Sequence, residues 1–273
     1  MIVSRLDFDG FRNLQTGSLI PGEGVNIIYG RNAQGKTNLL ELLWFFTGGR
    51  SFRGAKDAET VAFDRQAAGQ KARLCMTFTA ADREQEAEIA IDRRRSAVLN
   101  GIPQPTAAKL AGHFCAIVFS PAHLSLIKDG PEGRRRFLDA AYCQLRPGYM
   151  KVLADYQRIL AQRNAMLKTL RCSCTTEDRD TLDVWNDRLS MAGAQVYAAR
   201  TAYIRKLSPV AQQIYAGIAK SGEEQLTLRY QSAAGEETLT PAEMQLRLRH
   251  CLQESLAADL AAGFTTVGPH RDD

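Results

Sequence analysis

Val25-Asn26-Ile27-Ile28-Tyr29, then Gly30-Arg31-Asn32-Ala33-Gln34-Gly35-Lys36-Thr37, then Asn38 through Phe46, is the stretch on which the fold turns. The first five residues are an apolar run stopped by glycine, which predicts a short strand. The next eight match G-x-x-x-x-G-K-[ST]. From Lys36 to Thr47 the chain reads as a buried helix, because Leu39, Leu40, Leu42, Leu43, Trp44, Phe45 and Phe46 leave little polar surface. A strand, a glycine loop and a helix in that order build a phosphate cradle. Glycines let the backbone approach phosphate oxygens without a Cβ in the way. Successive N–H groups and the positive end of the new helix face the anion. Lys36 is expected at the β and γ phosphates, and the Thr37 hydroxyl at Mg2+. The expected nucleotide-binding residues are therefore Gly30, Arg31, Asn32, Ala33, Gln34, Gly35, Lys36, Thr37 and Asn38, with ATP and Mg2+ as cofactors.

A cradle alone does not state what is done with the nucleotide. Hydrolysis usually needs an apolar strand ending in Asp to hold the magnesium shell. No run of four apolar residues followed by Asp-Asp or Asp-Glu occurs, and no Ser-Gly-Gly signature. Asp272-Asp273 comes nearest, but Gly268-Pro269-His270-Arg271 precedes it and cannot be such a strand. The expectation is a chain that stops before these parts arrive, binds nucleotide weakly and hydrolyses little or none.

Composition sets the outer bounds. The 273 residues are 45% hydrophobic and 24% charged, which excludes collagen-like and wholly disordered classes and allows about two domains. The longest apolar stretch, Leu39 to Phe46, is too short to span a bilayer. Charges at Arg5 and Asp7 interrupt any export signal. The cysteines, Cys172 and Cys174 included, are scattered and read as free thiols in a reducing cytoplasm. A net charge of +5 permits a nucleic-acid partner without requiring one.

The first part of the chain is strand-rich. Residues 2–8, 14–20, 72–79 and 86–92 read as strands, Ser96 to Leu99 as a strand turning at Asn100-Gly101, and Cys115 to Phe119 as a fully buried strand. From about residue 131 the period becomes helical. One apolar stripe holds Tyr149, Leu153, Tyr156, Leu160, Leu167 and Leu170, with Arg163 its only break. A longer one runs Leu182, Trp185, Leu189, Ala192, Val196, Ala199, Tyr203, Leu207, Val210, Ile214. Cys172 to Asp180 reads as the tip of the hairpin between them, and Ser208-Pro209 as a restart of the second helix. Leu226 to Tyr230 is a strand candidate, and Thr240-Pro241-Ala242-Glu243 a helix-starting capping box.

Several segments resemble the RecF family of bacterial DNA repair ATPases. They are Phe11-Arg12-Asn13-Leu14, Gly35 to Glu41, Gly49-Arg50-Ser51-Phe52-Arg53, Phe119-Ser120-Pro121, Arg134-Arg135-Arg136-Phe137-Leu138-Asp139, Gln162-Arg163-Asn164 and Gly268-Pro269-His270-Arg271-Asp272-Asp273. The resemblance implies an α/β fold: part of a P-loop ABC/SMC-type ATPase head with mixed and antiparallel strands, plus an inserted all-α lobe with a helical hairpin. It divides the chain into head residues 1–135, a helical lobe 136–264 and a return to the head at 265–273, with the signature motif and Walker B strand beyond position 273. It implies a cytoplasmic, nucleoid-associated protein of replication, recombinational repair and the SOS response. That protein binds duplex or single/double-strand junctions without sequence preference, dimerises around ATP, and helps RecO and RecR load RecA at gaps.

Arg12 and Asn13 follow the first strand, and the resemblance places them near the nucleotide. Arg50, Arg53, Arg93, Arg94, Arg95, Arg134 and Arg135 are the candidates for DNA phosphate contact, since guanidinium forks match phosphate oxygens. His270 and Arg271 approach a dimer interface by resemblance only. Two other readings stay open: a P-loop kinase or nucleotide-modifying enzyme with a helical lid, and a short-armed SMC-like structural ATPase.

Overall fold

The computed structural model describes residues 1–170, 175–219, 224–235 and 239–273. These form two compact units, Met1–Ser120 and Pro121–Asp273. The division precedes the Arg134-Arg135-Arg136 run because the helix bearing it packs on the two helices that follow. Residues 265–273 likewise belong to the second unit.

In the first unit β1 (Ile2–Asp9), β2 (Gly17–Leu19), α1 (Lys36–Phe45) and α2 (Phe63–Ala67) precede β3 (Ala72–Ala80), β4 (Arg83–Ile91), β5 (Arg95–Leu99) and β6 (Ile102–Gln104). The six strands make one antiparallel sheet in the order β2-β1-β3-β4-β5-β6. The register lines up Leu6, Met76, Ala87 and Leu99 across four strands. All four are buried, so one face of the sheet carries the core. Asn100 (φ 50°) and Gly101 (φ 76°) form the two-residue turn from β5 to β6, as the Asn-Gly pair predicts. Phe45 of α1 meets Phe11 edge-on at 5.4 Å.

Three expected strands are not strands here. Val25 to Tyr29 and Cys115 to Phe119 carry no strand pairing in the described sheet, and their apolar side chains are outward, with Val25 92% and Ile117 95% exposed. Apolar composition sets a tendency to be buried, but a strand exists only where a neighbour's ladder accepts it. Leu226 to Tyr230 fails for the same reason; beside it only Gln231 and Asp273 exchange two backbone hydrogen bonds, at 2.6 and 2.9 Å.

The second unit holds α3 (Pro131–Leu145), α4 (Pro147–Leu170), α5 (Thr176–Ile218), α6 (Pro241–Glu254) and α7 (Leu256–Ala262). The predicted capping box starts α6: Thr240 Oγ1 accepts from the Glu243 N–H and Glu243 Oε2 from the Thr240 N–H. Helices α4 and α5 pack together through Tyr149, Tyr156, Leu189, Ala192 and Val196, as their stripes predict. Part of the expected hairpin tip, including Cys172 and Cys174, lies outside the described residues. Among the described residues Cys75, Cys143 and Cys251 are thiols outside any disulfide. The long stripe is buried only in its first two-thirds, since Val210 and Ile214 are more than half exposed. Pro209 does not restart the helix but sits inside it. Pro209 and Arg205 are both exposed, so the proline falls on the solvent side of the helix, where a missing backbone hydrogen bond costs least.

Arg163, the break in the α4 stripe, is fully buried and draws three segments together. It pairs with Asp259 at 2.7 Å and donates to Asn186 at 2.8 Å and Thr265 at 2.7 Å. The last residues are tied in similarly. Tyr156 Oη and His270 Nδ1 are 2.7 Å apart, and Arg200 pairs with Asp139 and donates to the Pro269 carbonyl at 2.6 Å. His270 Nε2 is 3.1 Å from the Thr265 carbonyl, so Nε2 carries the proton and Nδ1 accepts from Tyr156. Burial lowers the imidazole from its ordinary 6.5 to about 4. No helix among the described residues is long and apolar enough to cross a membrane.

Two consequences are measurable. Arg163→Leu strands the buried Asp259 carboxylate and is expected to cost about 3 kcal/mol or more by urea unfolding. His270 is neutral when folded but protonates near 6.5 when unfolded. Its contribution is therefore complete above pH 6.5 and is lost as pH falls toward about 4. Stability measured across that range is expected to fall less steeply in His270→Gln than in the unmodified chain.

Candidate nucleotide-binding site

The glycine loop enters α1 through backbone that only some residues tolerate. Gly30 has φ +145°, Gly35 caps the helix at φ +96°, and Ala33 holds φ +64°. A Cβ on Gly35 would lie 2.6 Å from Leu14 Cδ2 and 2.8 Å from Asn13 Oδ1, so the glycine is required by close packing as well as by φ. Lys36 Nζ reaches back to the carbonyls of Gly30 and Arg31, at 2.7 Å each. This places an ammonium at the centre of the loop. The hollow beside it is lined by Asn32, Ala33, Gly35, Lys36, Thr37, Asn38 and Arg53. Arg31 and Gln34 are exposed on the loop and do not line it.

The Phe11-Arg12-Asn13-Leu14 turn supports this loop from behind. Asn13 Nδ2 donates to the Ala33 carbonyl at 2.7 Å and Asn38 Nδ2 to Asn13 Oδ1 at 2.7 Å. Arg12 forks onto Glu41 of α1, at 3.0 and 2.8 Å, and also reaches the Glu59 carbonyl at 3.2 Å. Arg12 is thus not among the residues facing the hollow, contrary to expectation. Its two-pronged pair holds the helix whose first turn forms the cradle. Ser51 donates to the same carboxylate, and Arg53 lies 3.7 Å from it. Glu41 is fully buried.

The loop after α1 is fastened by groups the sequence reading assigned elsewhere. Arg95 pairs with Asp57 at 3.0 Å, donates to the Gly49 carbonyl at 2.5 Å and stacks 4.5 Å from the Phe45 ring centroid. Its side chain is 7% exposed, too little to meet a DNA backbone. Arg134 forks onto Asp273 and also donates to the carbonyls of Leu126, Ile127 and Asp129. Arg135 donates to the Asp272 carbonyl at 2.5 Å. These three guanidiniums are committed within their own units. Arg50, Arg93 and Arg94 are exposed. Arg53 belongs to the nucleotide hollow. The roles of Glu41 and Ser51 were missed, although Glu41 interrupts an apolar helix at a core-facing position, which is the signal of a buried ion pair.

Among the described residues no group of three or more His, Cys, Asp or Glu is placed to hold a metal by itself. The Thr37 hydroxyl, exposed and lining the hollow beside Lys36, fits Mg2+ of the kind that keeps most of its shell from phosphates and water.

Comparison with known proteins gives a consistent picture. A family model described as an AAA domain matches residues 5–107. The chain is 31% identical to the DNA replication and repair protein RecF of Acetivibrio thermocellus, over 100% of this chain and 73% of that one. It is 35% identical to the protein of that name from Acidothermus cellulolyticus, over 100% and 74%. A solved structure of the recombination mediator protein RecF-ATPrS in the RecFOR pathway superposes with a TM-score of 0.91 at 33% identity, over 99% of this chain and 72% of that chain.

The cradle makes one substitution decisive. Gly35→Ala, at φ +96° and with Leu14 and Asn13 in the way, is expected to abolish measurable ATP binding in equilibrium titration while the chain stays folded by circular dichroism.

Proposed function

Because the chain belongs to the RecF family of DNA replication and repair proteins, we propose that it is the nucleotide- and DNA-binding part of an ATP-dependent clamp on DNA. The observation that carries this reading is the cradle itself: Lys36 centred in a glycine loop that opens α1, beside a hollow lined from Asn32 to Asn38. A bound triphosphate supplies the charge that this geometry is shaped to neutralise. Lys36 exchanges its two carbonyl partners for phosphate oxygens, the first N–H groups of α1 orient the tail, and Thr37 presents its hydroxyl to Mg2+.

In this reading ATP favours a closed pair of heads only by contacting both of them, a shift of population set by its differential affinity. The closed homodimer encircles duplex or junction DNA without reading sequence, and works with RecO and RecR in loading RecA at gaps in the bacterial cytoplasm. A similar solved structure, of RecF-ATPrS in the RecFOR pathway, supports the partner assignment. Arg50, Arg53, Arg93 and Arg94 are the expected DNA contacts that remain exposed. Hydrolysis by this chain alone is expected to be slight, because neither an acid-ended apolar strand nor a Ser-Gly-Gly signature occurs in its 273 residues.

Two measurements test the reading. Lys36→Ala is expected to remove ATP binding by the chain, and an unchanged affinity overturns the assignment. DNA affinity is expected to fall steeply and linearly on a log–log plot against salt, and a flat response excludes phosphate-led contact.

A further inference from the structure

We propose that Asn13 is a positioning residue for the nucleotide: it acts through the Ala33 carbonyl and holds the glycine loop in its phosphate-binding shape before any anion arrives. The inference rests on the cradle reading of residues 30–37 and adds a residue that is not in the loop. Ala33 is the weak point of that loop. Its φ of +64° lies in the left-handed region, where a Cβ crowds the following carbonyl, so the segment left to itself favours other conformations. Gly30 and Gly35 carry their positive φ values without that penalty. Among the described residues the one hydrogen bond to Ala33 is that of Asn13 Nδ2 to its carbonyl, at 2.7 Å. Asn13 is not among the residues lining the hollow, so this bond shapes the loop without occupying the phosphate's place.

Chemistry fixes which way the amide points. Arg53 has donors only, and its Nη1 meets Asn38 Oδ1 at 2.8 Å. Asn38 therefore turns its Nδ2 toward Asn13, where it donates to Oδ1 at 2.7 Å. That leaves Asn13 Nδ2 facing Ala33, whose carbonyl can only accept. The series runs from a group that cannot accept to one that cannot donate, so neither amide can be reversed without losing bonds. The turn that carries Asn13 is itself anchored. The Leu14 N–H closes it on the Phe11 carbonyl at 2.8 Å, the Arg12 N–H donates to the Thr60 carbonyl at 2.7 Å, and the Arg12 side chain is forked onto Glu41. A binding loop that is competent only part of the time loses apparent affinity by that fraction. Asn13 raises the fraction, and does so equally for any ligand that uses the loop.

The test is a set of equilibrium titrations of the 273-residue chain with Mg2+ plus ATP and with Mg2+ plus inorganic tripolyphosphate. Asn13→Ala is expected to weaken both ligands about fivefold, because both depend on the same loop. Ala33→Gly alone is expected to change affinity by less than about twofold, because the loop is already held. Added to Asn13→Ala, it is expected to recover most of the loss, because glycine enters the left-handed region without a Cβ. Melting without ligand is expected to be unaltered in Asn13→Ala, since the side chain is exposed. An unchanged ATP affinity in Asn13→Ala overturns the proposal. So does a loss confined to ATP while tripolyphosphate binds as before, which marks direct contact with the nucleoside, and so does a double variant no better than Asn13→Ala. Should the unmodified chain bind ATP but not tripolyphosphate, recovery by Ala33→Gly decides alone. If Lys36→Ala abolishes ATP binding and any of the three overturning results is found, this inference alone fails. If Lys36→Ala binds normally, or the unmodified chain binds neither ligand, the cradle reading fails and takes this inference with it.

Discussion

The buried carboxylate of Glu41 is the constraint around which the first unit is arranged. A charge without water must be compensated by geometry, and Arg12 supplies a two-pronged pair from the turn after β1. That pair fixes α1 against the turn, and the turn in turn supports the glycine loop through Asn13 on Ala33 and the close approach of Leu14 to Gly35. Ser51 brings the loop after α1 to the same carboxylate. The cradle is therefore shaped by residues on both sides of it in sequence, held to a single anionic centre on its own helix.

The second unit follows the same logic with different residues. Its helices are amphipathic enough to associate, but apolar stripes alone allow neighbouring helices to slide. Buried arginines remove that freedom. Arg163 binds Asp259, Asn186 and Thr265, and Arg200 binds Asp139, Tyr230 and the Pro269 carbonyl. Asn164 accepts from both the N–H and the hydroxyl of Thr265. Of these, Asp139, Arg163, Asn164 and Pro269 come from three of the segments that carry the family likeness: Arg134 to Asp139, Gln162 to Asn164 and Gly268 to Asp273. Within this unit such segments act as connectors, since directional bonds between buried polar groups specify one arrangement where apolar contact permits several. His270 follows this pattern: its ring is turned into the helices and bonded at both nitrogens.

The arginines also illustrate how little a run of like residues says about position. Arg93, Arg94 and Arg95 are adjacent, yet two are exposed and the third is inserted between Asp57, Gly49 and the ring of Phe45. Strand alternation decides this: Arg95 opens β5 on the inward side, opposite Ile91. Arg12 and Arg53 show the reverse. Both approach Glu41, but the geometry gives one the carboxylate and leaves the other facing the nucleotide hollow.

By itself the sequence determined what is local. The glycine loop and its helix, the Asn100-Gly101 turn, the alternation of β3 and β4, the capping box at Thr240 and the pairing of α4 with α5 all follow from periods and backbone preferences acting over a few residues. Only the tertiary structure decided what depends on distant partners. Arg163 read as a flaw in a stripe and became the tie between three segments. Arg12, expected near the nucleotide, forks onto Glu41, and Arg53, expected at DNA, lines the hollow beside Lys36. Val25 to Tyr29 and Cys115 to Phe119, apolar enough to be strands, lie outside the sheet. The reason is common to all of these. A dihedral preference or an apolar period is a property of the segment, whereas an ion pair or a strand exists only when a second segment arrives to complete it.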